Sequence, residues 1–150
     1  MIYRPATPQD ITPRGIALID EAMRETSWGD DPVCPVRSLE TLTNLIESSS
    51  DLVIVAEKND ELAGVLIASA YPAMFSDTLH ASMHVWYIRP KYRGGWAAYR
   101  LARIYRDWAR LAGATSAYFD VNSGVNNKMA GKLAYKLGFR HIGDGYKAVF

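Results

Sequence analysis

The chain has 150 residues, 49% of them hydrophobic and 22% charged, a balance that predicts a single globular domain over residues 1–150. Its 17 basic and 16 acidic residues argue against a dedicated nucleic-acid binder, and no apolar run is long enough to span a membrane. With one cysteine, three histidines without zinc-type spacing and no secretory signal at the N-terminus, we expect a cytoplasmic protein without a metal site.

The first part of the chain predicts one short strand and two helices. Residues 2–4 are strand-like, and apolar residues at helical spacing predict a helix over 15–25. The segment 26–35 is rich in Gly, Pro and Asp and is expected to be a loop. A second helix is expected to begin at Ser38, which can cap its first turn.

The middle of the chain carries the strongest strand pattern. Apolar runs at 52–57 and 61–69 are joined by the turn-forming residues 58–60, which predicts a β-hairpin. A third long strand is predicted over 79–89, where Pro90 follows it.

The last part predicts helix, strand, helix and a closing strand pair. The first of these helices ends at Gly113, and the residues expected to be buried on it are Leu101, Ile104, Tyr105, Trp108 and Leu111. A strand over 116–121, a helix over 126–136 and a strand pair over 138–150 complete the chain. This order predicts an α/β (α+β) fold with a mixed sheet and helices on its faces.

Two glycines stand directly before the long helix, in the stretch "YRGGWAA". Glycine lets the backbone close around a ligand, and a helix N-terminus offers free N–H groups to an anion. Lys91, Arg93 and Arg100 add positive charge nearby. The stretch therefore indicates a phosphate-binding site, with pyrophosphate the favoured ligand, although it is neither a P-loop nor a dinucleotide fingerprint. The alternative is an ordinary turn that precedes a solvated arginine face.

Two longer segments carry a resemblance to a known family. "YIRPKYRGGWAAYRL" resembles the cofactor motif of the GNAT superfamily of N-acetyltransferases, and "NKMAGKLAYKLGF" is similar to its second conserved segment. The resemblance implies a mostly antiparallel twisted sheet of about six to seven strands flanked by about four helices. It also implies an acetyl-CoA-dependent N-acetyltransferase that acts by direct transfer in a ternary complex, with no metal.

The resemblance also implies which residues hold coenzyme A. One strand edge would pair with the pantetheine arm, loop amides would hold the pyrophosphate, and an asparagine would contact the arm. These residues are Ile88, Arg93, Gly94, Gly95, Trp96, Ala97, Ala98 and Asn127.

Two positions depart from the family pattern. Trp96 replaces the middle glycine of the loop, and Ala134 replaces a tyrosine that in many members protonates the leaving thiolate. Tyr135 lies one residue further along, on a helix face rotated by about 100°, and is the candidate acid.

The candidate base is His84, because the presumed cofactor strand carries no Asp or Glu. Regular alternation would place it on one face with Ser82 and Trp86. The alternative is a structural histidine held by a hydrogen bond.

The candidate acceptor contacts are Trp28, Asp30 and Asp31, which could hold an ammonium group by charge and by cation–π contact. The alternative is a solvated loop. The partner is expected to be a small-molecule or peptide amine, with neither nucleic acid nor membrane involved, and a homodimer is an open possibility. A longer acyl donor and a non-catalytic acyl-CoA-binding or protein-interaction module also stay open.

Overall fold

The computed structural model describes residues 1–150 as one sheet with helices on both faces. In chain order the elements are β1 (Ile2–Pro5), α1 (Pro13–Glu25), α2 (Pro35–Glu47), β2 (Asp51–Lys58), β3 (Glu61–Pro72), β4 (Leu79–Ile88), α3 (Ala97–Leu111), β5 (Ser116–Tyr118) and α4 (Asn127–Lys136). Short 3-10 turns lie at Pro8–Asp10 and Pro90–Tyr92. None of the helices combines the length and the apolar character that crossing a membrane requires.

The sheet has five strands in the order β1-β2-β3-β4-β5. The first four strands pair antiparallel, and β5 runs parallel to β4. The predicted hairpin is confirmed: Lys58 pairs with Glu61 across a turn in which Asn59 and Asp60 have φ of 53° and 59°. Positive φ at both central residues is typical of a tight hairpin turn.

The two faces of the sheet carry separate apolar clusters. One cluster packs α1 and α2 on the sheet through residues such as Leu18 and Leu42. The other packs α3 through Leu101 and Tyr105, both fully buried. The Tyr105 hydroxyl donates a hydrogen bond to the Tyr118 carbonyl at 2.8 Å, which ties α3 to the end of β5. Burial raises the pKa of Tyr105 well above its usual value, so this hydroxyl stays a donor.

The fold class is confirmed, but some predicted elements differ. The strand pair over 138–150 does not form, and the sheet therefore has fewer strands than expected. Residues 140–150 are exposed throughout, and none of their backbone groups bonds to another part of the chain. Two glycines flank Asp144 in this segment, and β5 is too short to template a further long strand.

Other corrections concern element ends. β5 stops at Tyr118 instead of residue 121, and α2 begins at Pro35 instead of Ser38. Leu111 was expected in the core but is 88% exposed, because it is the last residue of α3 and packs on neither apolar cluster.

Candidate active site

β4 and β5 pair only briefly and then diverge. β4 has 10 residues, but only its first part pairs with β5, from His80 with Ser116 to Ser82 with Tyr118. Residues 83–88 of β4 pair with β3 but have no strand on the β5 side, and we call them the unpaired half of β4. We call the opening between residues 83–88 and the chain that follows β5 the groove. Its wall is a strand edge whose backbone polar groups can pair with an extended ligand.

Aromatic rings lie across the groove on the α3 side. The Trp86 and Phe119 rings meet edge to face with centroids 5.2 Å apart, and Phe139 lies 5.3 Å from Phe119. The Trp86 indole N–H donates to the Ala98 carbonyl at 3.2 Å. This hydrogen bond connects the unpaired half of β4 to the first turn of α3, so the groove leads to the start of that helix.

The loop before α3 presents a row of free backbone amides. Its first hydrogen bond of helical type runs from Arg100 N–H to the Trp96 carbonyl at 2.9 Å, and the amides of residues 94–99 have no acceptor in the protein. Gly94 has φ of +84°, the left-handed conformation that glycine adopts at little cost. Six N–H groups at the start of a 15-residue helix form a good anion site.

The loop leaves room for a ligand directly over both glycines. A Cβ atom at Gly94 or Gly95 would meet no protein atom within 4 Å, so the protein's own packing does not require glycine there. The Trp96 indole therefore does not lie over Gly94. It is 74% exposed and meets the Tyr99 ring edge to face at 5.6 Å, at one side of an open cavity of about 670 Å³ that Tyr3 and Arg100 also line.

The Arg93 side chain connects the glycine loop to the end of β4 and to α1. Its Nε donates to the Ile88 carbonyl at 2.7 Å, and its guanidinium forms an ion pair with Glu25 at the end of α1, with Nη2 2.7 Å from Oε2. The guanidinium also lies over the Tyr87 ring, 5.5 Å from its centroid. The hydrogen bond from Arg93 lowers the pKa of Glu25, while burial and that carboxylate raise the pKa of Tyr87 to about 12.

Among the three cations that the sequence placed near the loop, Arg100 alone has no carboxylate partner. Lys91 pairs with Glu61 at 2.6 Å, and Arg93 pairs with Glu25. The hydrogen bond from Lys91 lowers the pKa of Glu61 to about 2. Arg100 is therefore the cation that a phosphate near the loop could recruit without breaking an ion pair.

His84 occupies a β-bulge, which the sequence could not show. Ile67 pairs with Val85 and Ala68 pairs with Met83, which leaves His84 as an extra residue in β4. Its Nε2 lies 2.9 Å from the Ser69 hydroxyl oxygen, and the ring is exposed. A shared face for His84 and Trp86 was expected only with regular alternation; the bulge reverses the alternation, and Trp86 packs on the α3 side.

The two neighbouring residues of α4 at the position of the family's acid, Ala134 and Tyr135, differ in exposure. Ala134 is buried at the position that faces the core, whereas Tyr135 is 63% exposed. Asn127 uses its side-chain oxygen to accept the Gly124 N–H at 3.1 Å, so it holds the turn that leads into α4.

The loop that carries the candidate acceptor contacts, residues 26–34, binds an ammonium group of the chain itself; we call it the acceptor loop. The Lys147 Nζ lies 2.8 Å from the Ser27 carbonyl and 3.0 Å from Asp30 Oδ2, and 5.7 Å from the centroid of the Trp28 ring. Asp31 is exposed and its side chain has no partner. Sequence reasoning missed Lys147, because nothing in its local sequence distinguishes it from other exposed lysines.

The acceptor loop also contacts the chain that follows β5. Ser27 N–H donates to the Ser123 carbonyl at 2.7 Å, and the Ser27 hydroxyl donates to the Asn122 carbonyl at 2.8 Å. The loop thus lies against the segment that forms one side of the groove. No group of three or more His, Cys, Asp and Glu side chains is arranged to hold a metal ion.

Comparison with solved structures shows the same fold over nearly the full chain. A transcriptional regulator from Bacillus halodurans superposes with a TM-score of 0.78 at 17% identity, covering 99% of each chain. An aminoglycoside antibiotic 6'-N-acetyltransferase from Acinetobacter haemolyticus gives 0.70 at 18% identity, over 100% of this chain and 98% of that one. Glucosamine-6-phosphate N-acetyltransferase from Arabidopsis thaliana gives 0.73 at 14% identity, over 99% and 97%.

Sequence comparison adds a family assignment. No curated protein sequence matches this chain. The profile of the Acetyltransferase (GNAT) family matches residues 17–139, which include β4, the glycine loop and α4. Because that match spans most of the chain and the fold agrees, the protein belongs to the GNAT acetyltransferase family.

Proposed function

We propose that the protein is an acetyl-CoA-dependent N-acetyltransferase that transfers acetyl directly to a primary amine within a ternary complex. The observation that carries this proposal is the row of free amides at residues 94–99, placed where the unpaired half of β4 leads into α3. A ligand with a diphosphate at one end and an extended amide-bearing arm at the other fits both features.

The binding roles follow from these positions. The amides from Gly94 onward hold the pyrophosphate, and Arg100 approaches a phosphate oxygen. The exposed edge of β4 pairs with the pantetheine arm, while Arg93 keeps the end of that edge fixed by holding the Ile88 carbonyl. Asn127 supports this arrangement indirectly by shaping the turn before α4.

The chemistry needs a neutral amine and a polarised carbonyl. The thioester supplies an activated acetyl group; the amine nitrogen attacks its carbonyl carbon, a C–N bond forms and the C–S bond breaks. A backbone N–H on the unpaired half of β4 stabilises the developing oxyanion. His84 takes a proton from the amine, directly or through water, and Ser69 orients its ring.

The leaving thiolate receives its proton from solvent in this proposal. Ala134 takes the position on α4 that faces the interior, and Tyr135 projects into solvent. Tyr135→Phe should therefore leave kcat unchanged within about twofold, well below the 10²–10⁴-fold effect of a positioned acid. A loss of tenfold or more would restore Tyr135 as the acid.

The test combines binding and turnover. Calorimetry with coenzyme A measures binding, and thiol release from acetyl-CoA across a panel of amines and peptides measures transfer. Because two similar structures are named for acetyl transfer to an aminoglycoside and to glucosamine-6-phosphate, the panel should begin with such amines. Coenzyme A binding without turnover on any acceptor would replace the enzyme by an acyl-CoA-binding module. The absence of coenzyme A binding would refute the proposal altogether.

A further inference from the structure

The ammonium of Lys147 is held by three groups of different chemistry. A carbonyl oxygen from Ser27 and a carboxylate oxygen from Asp30 accept its protons, at 2.8 and 3.0 Å. The Trp28 ring lies 5.7 Å from the nitrogen, within the range of a cation–π contact. Together these groups provide hydrogen-bond acceptors, negative charge and an aromatic face, the features that favour an alkylammonium ion.

The occupant of this subsite is easily displaced. Lys147 and Asp30 are 36% and 59% exposed, and ion pairs with that exposure contribute little to stability. Lys147 also carries the only hydrogen bonds that connect residues 140–150 to the rest of the chain. A competing ammonium that replaced Lys147 would therefore release this whole segment at little cost.

The subsite lies beside the groove. Ser27 is hydrogen-bonded through both its backbone and its side chain to residues 122 and 123, directly after β5. Asp31, next to Asp30, adds a second carboxylate without a partner and increases the negative charge at this place. An acceptor that enters here brings one end to the groove and keeps the other end at the loop.

We propose that Ser27, Trp28 and Asp30 bind the non-reacting ammonium of an acceptor with at least two amines, and that Lys147 fills this subsite until such an acceptor displaces it. The inference rests on the proposed function, since it assigns the acceptor class of the same site. One amine of the substrate must lose its proton to react, while the second stays charged and pairs with Asp30. Lys147 thus acts as an internal competitor when no polyamine is bound.

The test measures binding separately from turnover. Calorimetry with spermidine, in the absence of acetyl-CoA, is compared for the natural protein, Lys147→Met, Asp30→Asn and Lys132→Met. Lys147→Met removes the competing ammonium but keeps the side-chain length. Lys132 on α4 is an exposed lysine without an ion-pair partner, so its substitution is the matched control. All three changes lie at exposed positions and should leave the fold intact.

We expect Lys147→Met to tighten spermidine binding about fivefold and Asp30→Asn to weaken it about fivefold, each equivalent to roughly 1 kcal/mol. Lys132→Met should leave it unchanged. These three results together would support the subsite even if the protein acetylated no acceptor. The proposed function would then fail, but the subsite would stand. Equal spermidine affinity in all four proteins would overturn the subsite even if acetyl transfer were demonstrated. A failure to detect spermidine binding in both the natural protein and Lys147→Met would also overturn the subsite.

Where transfer is observed, the same variants separate a diamine from a monoamine. Lys147→Met should lower KM for spermidine and leave KM for butylamine unchanged, because butylamine has no second ammonium. An equal change for both amines would show that Lys147 acts on access in general, and this would contradict the subsite.

Discussion

Substitution of Gly94 by alanine should weaken coenzyme A binding far more than it weakens the fold. Gly94 has φ of +84°, and an added methyl group would meet no protein atom within 4 Å. The cost to stability is therefore only that of a left-handed alanine, about 1–2 kcal/mol. In the complex, the methyl group would stand where the phosphates approach, or the loop would relax and turn its amides away. Loss of one charge-assisted hydrogen bond, worth about 1.5–3 kcal/mol, raises the Kd by about 10- to 150-fold.

The chain offers a closely matched control at the other end of α3. Gly113 has φ of +83°, and a Cβ atom there would also meet no protein atom within 4 Å. Gly113→Ala should lower the free energy of unfolding in urea as much as Gly94→Ala does, yet leave the Kd for coenzyme A unchanged. If calorimetry gave the same Kd for both variants, the loop amides at Gly94 would not hold the pyrophosphate, and the reasoning that assigns the site would be wrong.

Four further substitutions test other parts of the molecule. His84→Ala should lower kcat by about 10²-fold or more and leave the Kd for coenzyme A unchanged. Ser69→Ala should lower kcat by less than tenfold, since Ser69 only orients the ring. The rate of thiol release at saturating amine measures both effects. Arg4 lowers the pKa of Asp10 from 3.8 to about 2, so roughly 2 kcal/mol of stability is present above pH 4 and is lost as the pH falls towards 2. Urea unfolding from pH 7 to pH 2 should show this loss, and Asp10→Asn should reduce it; an identical pH dependence would contradict it. Glu25→Gln should weaken coenzyme A binding by about fivefold at most, because the Arg93–Glu25 ion pair is exposed and is worth about 1 kcal/mol. A loss of coenzyme A affinity above about 100-fold would give Glu25 a direct role.

The sequence was sufficient wherever the signal is local. The hairpin follows from a turn-forming tripeptide between two apolar runs, and the structure confirms it with positive φ at Asn59 and Asp60. The start of α3 follows from two glycines before an amphipathic pattern. The periodicity also identified Leu101 and Tyr105 as core residues, and both are fully buried.

The rest depends on contacts between distant residues. Whether His84 shares a face with Trp86 is decided by the register between β3 and β4, and one unpaired residue reverses it. Lys147 reaches Asp30 across 117 positions of sequence, which no spacing rule connects. The ion pair of Arg93 with Glu25 depends on where α1 ends, which the sequence around Arg93 does not show.

The end of α1 connects the two halves of the candidate site. Glu25, the last residue of the helix, holds Arg93 behind the glycine loop, and two positions later Ser27 begins the contacts that receive Lys147. The contacts proposed for an acceptor ammonium and the ion pair that supports the glycine loop therefore come from one short stretch of backbone. Since the GNAT fold provides the groove and the amides, it is this local sequence, from Glu25 to Asp30, that would adapt the common fold to its own acceptor.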